Sequence, residues 1–351
     1  MSDVMTFKCS SCGGYLEFDP SQQQFKCPYC GQMFTEEELR EHSAQREAEA
    51  EAAQHEHTSE EHHLRGYQCQ MCGAEIVTDE TTAATRCYFC HSPVVLHDRL
   101  DDEFRPDGVI PFQLDKAAAE KKFMDYISKK KFVDRAFFNG AQLEMFSGVY
   151  YPWWYTDIEG DADFEGEGTR TSVHTTPSHV VTTTRVYRVE REGRISFRNI
   201  ARKALMKADG KLSDGIHPYD IGAVQPYASG YLSGFLAEKR DVSEADAREG
   251  TIAEAKNYAA AMMQQNHGFN SLTGRTDFRP SKVTSRYVLL PAWVLTWKGG
   301  KDGAPYYYMM NGQTGKVCGK LPIDKKRLLA TALGVGIAIF LVLCGGGAFI
   351  W

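Results

Sequence analysis

Eight of the ten cysteines fall into two quartets of one spacing. Cys9, Cys12, Cys27 and Cys30 read C-x2-C-x14-C-x2-C, and Cys69, Cys72, Cys87 and Cys90 repeat it with every cysteine displaced by 60 residues. A C-x2-C pair on a tight turn aims two thiolates at one point, and a second pair after a hairpin completes a tetrahedral S4 site of the kind that holds structural zinc. Four protein ligands leave no open position for a reacting water, so such a site staples the chain and does not catalyse. A ribbon of about 25 residues cannot bury enough apolar surface to fold alone, and metal binding supplies the missing free energy. The sequence therefore predicts two structural zinc ions, although the same ligand set also suits rubredoxin-like iron.

Other sulfur chemistry fits less well. Cys87-x-x-Cys90-His91 matches the attachment pattern of a c-type haem. The equivalent place in the first copy, however, holds Gly31 where a histidine is required. A thioredoxin-type dithiol calls for a βαβ pattern around one C-x-x-C, which is absent here. Both copies instead share an aromatic two residues before the first cysteine (Phe7, Tyr67) and a glycine after the first pair (Gly13, Gly73), which marks an internal repeat.

The elements that must carry these quartets divide the chain into a zinc ribbon at 5–35, an acidic linker at 36–66, a second ribbon at 67–98, an α+β domain at 105–324 and an apolar terminal segment at 328–351. The linker holds ten Glu against three Arg, so the net charge of −6 is concentrated there and the remainder lies near +1. Its histidines (His42, His55, His57, His62 and His63) have no regular spacing, and the segment reads as a solvated helix or a disordered spacer. The first ribbon is neutral and the second carries −2. Neither offers the clustered Lys and Arg that tracking a phosphate backbone needs, which argues against nucleic acid and for protein contact.

In the large domain, 115–132 reads as an amphipathic helix with Ala119, Phe123 and Tyr126/Ile127 on one side, and 243–268 as a long helix capped by Ser243. Residues 180–200 read as two strands joined at Glu192-Gly193. Segments 148–168 and 287–316 resemble each other, each with a proline (Pro152, Pro291) followed by tryptophan. Proline inside such a run suggests an edge strand or a bulge, and Trp153, Trp154, Trp293 and Trp297 read as core packing.

Enzyme chemistry is not indicated. There is no H-E-x-x-H or G-x-S-x-G, and the glycines of "GQTGK" (312–316) are two residues too close for a phosphate loop. His174, His179, His217 and Asp220 have no spacing that implies a site. Residues 328–351 carry no charge over 24 residues, follow Lys325, Lys326 and Arg327, and read as a transmembrane helix. The positive-inside rule then makes this a single-pass, tail-anchored protein of the cytoplasmic membrane with its N-terminal domains in the cytoplasm. Ala330/Gly334 and Ala332/Gly336 would permit a homo-oligomer through that helix.

The order of parts resembles a bacterial family of membrane-anchored tandem zinc-ribbon proteins, often labelled zinc-ribbon or replication-restart-helicase-like. The resemblance rests on the two ribbons, "VIPFQLDKAAAEKKF", "GVYYPWWY", "LLPAWVLTWK" and "YYYMMNGQTGKV", and covers nearly the whole chain. It implies protein partners of the phage-shock-protein-A-like and SPFH-domain types in envelope stress. The resulting expectation is a multidomain α+β, non-enzymatic, membrane-anchored adaptor that recruits such partners to the membrane. The alternative is a nucleic-acid-binding regulator acting through the ribbons. A helicase motor does not carry over, because the phosphate loop is missing.

Overall fold

Three strands far longer than the usual five or six residues organise the chain. The computed structural model describes residues 9–39, 65–68, 75–78, 81–86, 93–96, 104–133, 146–206, 210–265, 267–297, 306–319, 321 and 323–347. Strands β1 (Glu17–Asp19), β2 (Gln24–Lys26) and β3 (Met33–Phe34) form the small antiparallel sheet of the first ribbon, and β4 (Arg65–Gln68) pairs with β5 (Glu75–Thr78). A ten-stranded sheet takes β6 (Thr82–Arg86), β7 (Pro93–Val95), β8 (Gly108–Val109), β9 (Ser147–Thr175), β10 (Val180–Lys203), β11 (Gln225–Pro226), β12 (Leu236–Glu238), β13 (Ser271–Trp297), β14 (Tyr306–Asn311) and β15 (Val317–Gly319). Its order is β11-β8-β13-β9-β12-β6-β7, with β10 beside β9 and with β14 and then β15 beside β13. The second hairpin of the second ribbon, β6–β7, is therefore part of the large sheet.

The helices are α1 (Lys116–Ser128), α2 (Gly210–Gly215), α3 (Glu244–Met263) and α4 (Lys325–Gly347). Asp115 accepts from the N–H of Ala118 and starts α1, which buries Ala119, Phe123 and Ile127. Ser243 accepts from the N–H of Asp246 and starts α3. Helix α3 packs Ala247, Thr251, Ala255 and Ala259 inward, and Ala255 and Ala259 join Ile158, Ala162, Ile195 and Phe278 in one apolar cluster. Phe112 stacks on Phe235 at 4.2 Å, and Phe146 stacks on Trp293 at 5.5 Å. Trp153, Trp154 and Trp293 are all buried.

Two expectations of fold class are corrected. The described residues are mostly β, 45% strand against 27% helix, because three strands do the work that an α+β reading divides among helices and shorter strands. Among the described residues, moreover, no helix is long and apolar enough to cross a membrane. Helix α4 forms where the apolar terminal segment is, but its first three residues are the cations Lys325, Lys326 and Arg327. The single-pass, tail-anchored placement in the cytoplasmic membrane over 328–351 is therefore not supported.

The proline strands are central, not edge, and the sheet explains how. Along β9 the neighbour opposite β13 is β12 at Val149 and Tyr150, then β10 from Trp153 onward, and Pro152 sits in the gap. Along β13 the neighbour opposite β9 is β8 at Val288 and Leu289, then β14 from Ala292, and Pro291 sits in that gap. Each missing N–H falls where no second ladder asks for one. The expected turn at Glu192-Gly193 is likewise replaced. Gly193 lies opposite Ala162 inside a continuous β10, and the chain turns at 176–179.

The "NGQTGK" segment ties these parts together. Asn311 is fully buried; its Oδ1 accepts from the N–H groups of Gln313 (2.8 Å) and Thr314 (2.9 Å), and its Nδ2 donates to the carbonyls of Ile216 (3.0 Å) and Pro218 (3.2 Å). Gly312 is pressed so closely against Phe112 that an added Cβ would lie 2.7 Å from its ring. Asn311→Asp would set a carboxylate oxygen against two carbonyls. It should cost about 3 kcal/mol, read as a lowered urea midpoint, and an unchanged midpoint would contradict this account of the motif.

Candidate metal centre

The first quartet is built by two matching knuckles. The N–H of Cys9 donates to Gly14 O (2.6 Å) and that of Gly13 to Cys9 O (2.9 Å), while the N–H of Cys27 donates to Gln32 O (2.8 Å) and that of Gly31 to Cys27 O (2.9 Å). Gly13 and Gly31 take φ of +73° and +77°, left-handed values that glycine adopts without strain, which accounts for a glycine after each pair. The four Sγ atoms lie within 4.8 Å of one another, with Cys9 to Cys30 at 3.6 Å and Cys12 to Cys27 at 3.5 Å. A tetrahedron with metal–sulfur bonds of about 2.3 Å has edges of about 3.8 Å, so the quartet fits and could hold a metal ion.

The surroundings divide the thiols into two kinds. Cys9 and Cys27 are buried, whereas Cys12 and Cys30 are exposed. Burial works to raise Cys9, but the N–H groups of Ser11 and Cys12 and the neighbouring thiols bring it down to about 7. Burial is likewise overcome at Cys27, which the N–H groups of Cys30 and Tyr29 help to lower. At Cys12 the N–H of Gly14 pulls downward, yet the bonds with Cys27 and Cys30 push the thiol up to about 12. Cys30 is also raised, against the N–H of Gln32. Cys69, Cys72, Cys87 and Cys90 lie outside the described residues, as does most of the His-rich linker.

The ribbon does not hang from a tether; it is docked. Phe18 and Phe25 meet Tyr231 at 5.1 and 5.6 Å between ring centroids, and the N–H of Phe18 donates to Ser233 O at 3.2 Å. The Ser233 hydroxyl donates to Leu16 O, and the Tyr231 hydroxyl to the Glu36 carboxylate. Gln23 Nε2 donates to Phe112 O at 2.8 Å. Arg86 on β6 pairs with Glu17 on β1 at 3.2 Å and donates to Gly234 O at 2.8 Å, so an ion pair links the two copies of the repeat. Between ribbon and sheet lies a cavity of about 420 Å³ lined by Phe18, Phe146, Phe235 and Trp293, with Arg86 and Lys116 among its polar residues.

The scattered polar residues do not converge. His174 and His179 are exposed near the turn between β9 and β10. Asp220 accepts from the N–H of Gly222 and caps a turn of 3-10 helix. His217 packs against Trp153 at 4.2 Å and Tyr219 at 5.1 Å. Burial, together with the charge of Lys316, holds His217 down at about 4. The unfolded chain takes up this proton near the ordinary value of about 6.5 while the folded chain does not. Stability should thus fall as pH drops from about 6.5 to about 4, and His217→Gln should flatten that part of a pH–stability profile. A profile unchanged by the substitution would contradict it.

One feature escaped the reading of motifs. Asp157, Glu159, Asp161, Asp163, Glu165 and Glu167 alternate along β9 and so share one face, with Ile158, Ala162 and Phe164 on the other. Arginines on the flanking strands meet this row: Arg188 with Glu165 (2.5 Å), Arg194 with Glu159 (3.1 Å), Arg198 with Glu159 (2.5 Å) and Arg279 with Asp163. These pairs are largely exposed and individually worth little, but together they make the stem of the three long strands a charged ladder on one side. The strict period of two over eleven residues was the available signal.

No family model matches this chain, and no solved structure matches it. Among curated proteins it is similar to the protein YdjG of Bacillus subtilis (strain 168), which is described as uncharacterized. The two are 29% identical over 343 residues, which cover 97% of this chain and 96% of the relative.

Proposed function

We propose that this chain is a non-enzymatic, zinc-stapled adaptor that binds other proteins. The observation that carries the reading is the closed quartet of Cys9, Cys12, Cys27 and Cys30 in a ribbon pinned against the large sheet. Four thiolates fill a tetrahedral coordination sphere, so a metal there shapes a surface and leaves no position for substrate. The metal in this reading is zinc, and Cys69, Cys72, Cys87 and Cys90 hold a second ion by the same spacing. The cavity between ribbon and sheet, aromatic with two cations among its lining, is of a kind that takes a partner's side chain. The partners, on the family resemblance, are phage-shock-protein-A-like and SPFH-domain proteins.

The experiment is a binding titration of the purified full chain against purified proteins of those two classes, with total zinc determined on the same sample. Saturable binding to either class, together with two zinc ions per chain, is the expected result. No binding to either, or steeply salt-dependent binding to DNA or RNA in its place, would overturn the adaptor reading.

A further inference from the structure

The three long strands do not end together. Strand β13 begins at Ser271 opposite Thr169, so from Thr171 to Thr184 the strands β9 and β10 run on as a two-stranded arm. The arm is solvent-exposed on both faces, and a hairpin alone in water is marginal. Its sequence, "TSVHTTPSHVVTTT", holds no Asp, Glu, Lys or Arg over 171–184. On one face every residue is β-branched: Thr171, Val173 and Thr175 from β9, and Val180, Thr182, Thr184 and Val186 from β10. Val180 and Val186 are 66% and 63% exposed. Among the described residues β10 pairs with β9 alone, and no bulge or proline interrupts it from Val180 to Val186. Arg185, on the opposite face, is the one charge along 180–186, and such an open edge is a template for another strand.

The sequence of that edge says which strand. Taken every second residue, 180–186 reads Val, Thr, Thr, Val, the same in both directions. An antiparallel pairing of two identical strands reverses one against the other, so a palindrome matches itself. We propose that this chain forms a two-fold homodimer by edge-to-edge pairing of β10 with β10 of a second copy, centred on Thr183. In that register Val180 lies opposite Val186, Thr182 opposite Thr184 and Thr183 opposite Thr183, and Arg185 faces Val181. Valine meets valine, threonine meets threonine, and no like charges are opposed within the seven residues. A contact of one strand from each copy is small, so the dimer is of the weak, concentration-dependent class.

The test is sedimentation velocity on the full chain across a concentration series, with Thr183→Lys, Thr183→Glu and their equimolar mixture. Thr183 is exposed, so both substitutions leave the folded chain intact. At the two-fold axis each variant opposes its own charge, and self-association should weaken about fivefold or more. The mixture should associate more tightly than either variant alone, because Lys then meets Glu. A wild-type chain that stays monomeric throughout, variants that associate as the wild type does, or a mixture no tighter than its components would each overturn the proposal.

Discussion

Cys27→Ser strips one metal ion from each chain and unravels the first ribbon while leaving the large sheet folded. Cys27 is fully buried within the quartet, and its N–H and carbonyl both serve the second knuckle. Serine cannot supply a thiolate, and a three-sulfur remnant leaves the buried Cys9 facing an incomplete site. The ribbon has short strands and a core of Leu16, Phe18, Phe25 and Phe34, too little to hold by burial alone. Binding of metal to such a site contributes about 10 kcal/mol or more at neutral pH, so this is the largest single effect expected anywhere in the chain. Metal analysis should show one ion fewer than the parent, and limited proteolysis should cut within 9–39. Unchanged metal content would mean that the quartet is not the site.

Tyr231→Ala separates docking from metal. The Tyr231 ring packs against both Phe18 and Phe25, and its hydroxyl reaches Glu36, so truncation opens a cavity where ribbon meets sheet. A buried aromatic truncated to alanine costs about 3 kcal/mol or more. Here the loss should appear as faster hydrogen exchange at the Phe18 amide, which bonds Ser233 O across the junction, while metal content stays at the parent value. Loss of metal with loss of docking would show that the sheet, and not the ribbon's own knuckles, organises the thiols.

The first cysteine quartet, which could hold a metal ion, was legible because its geometry is local. Two thiols three residues apart and a glycine to turn the chain specify a knuckle without reference to anything distant, and the second knuckle only has to be a hairpin away. The helices over 116–128 and 244–263 were legible for the same reason, through Asp115, Ser243 and a periodic apolar face. Long strands were harder to see. Glycine at 193 and proline at 152 and 291 are local turn and edge signals, yet each sits inside a strand of more than twenty residues. What overrides the signal is pairing across more than a hundred residues of sequence, such as Leu289 against Pro152, which no window of neighbours reveals. The terminal segment was overread in the opposite way: composition suggested a membrane span, whereas among the described residues no helix is long and apolar enough to cross one.

The alternation along β9 has a consequence for how this protein can change in length. Acids face one way and Ile158 and Ala162 face the other, toward the apolar layer that α3 completes. Inserting or deleting one residue between Asp157 and Glu167 would exchange the two rows beyond that point, burying carboxylates under the helix and exposing the aromatic side. Two residues, matched on β10 and β13, would only slide the arm outward or inward. Away from the bulges at Pro280/Lys282 and Phe197/Ile200, the stem therefore obeys a parity rule: its reach is retuned in steps of two residues per strand, about 7 Å each.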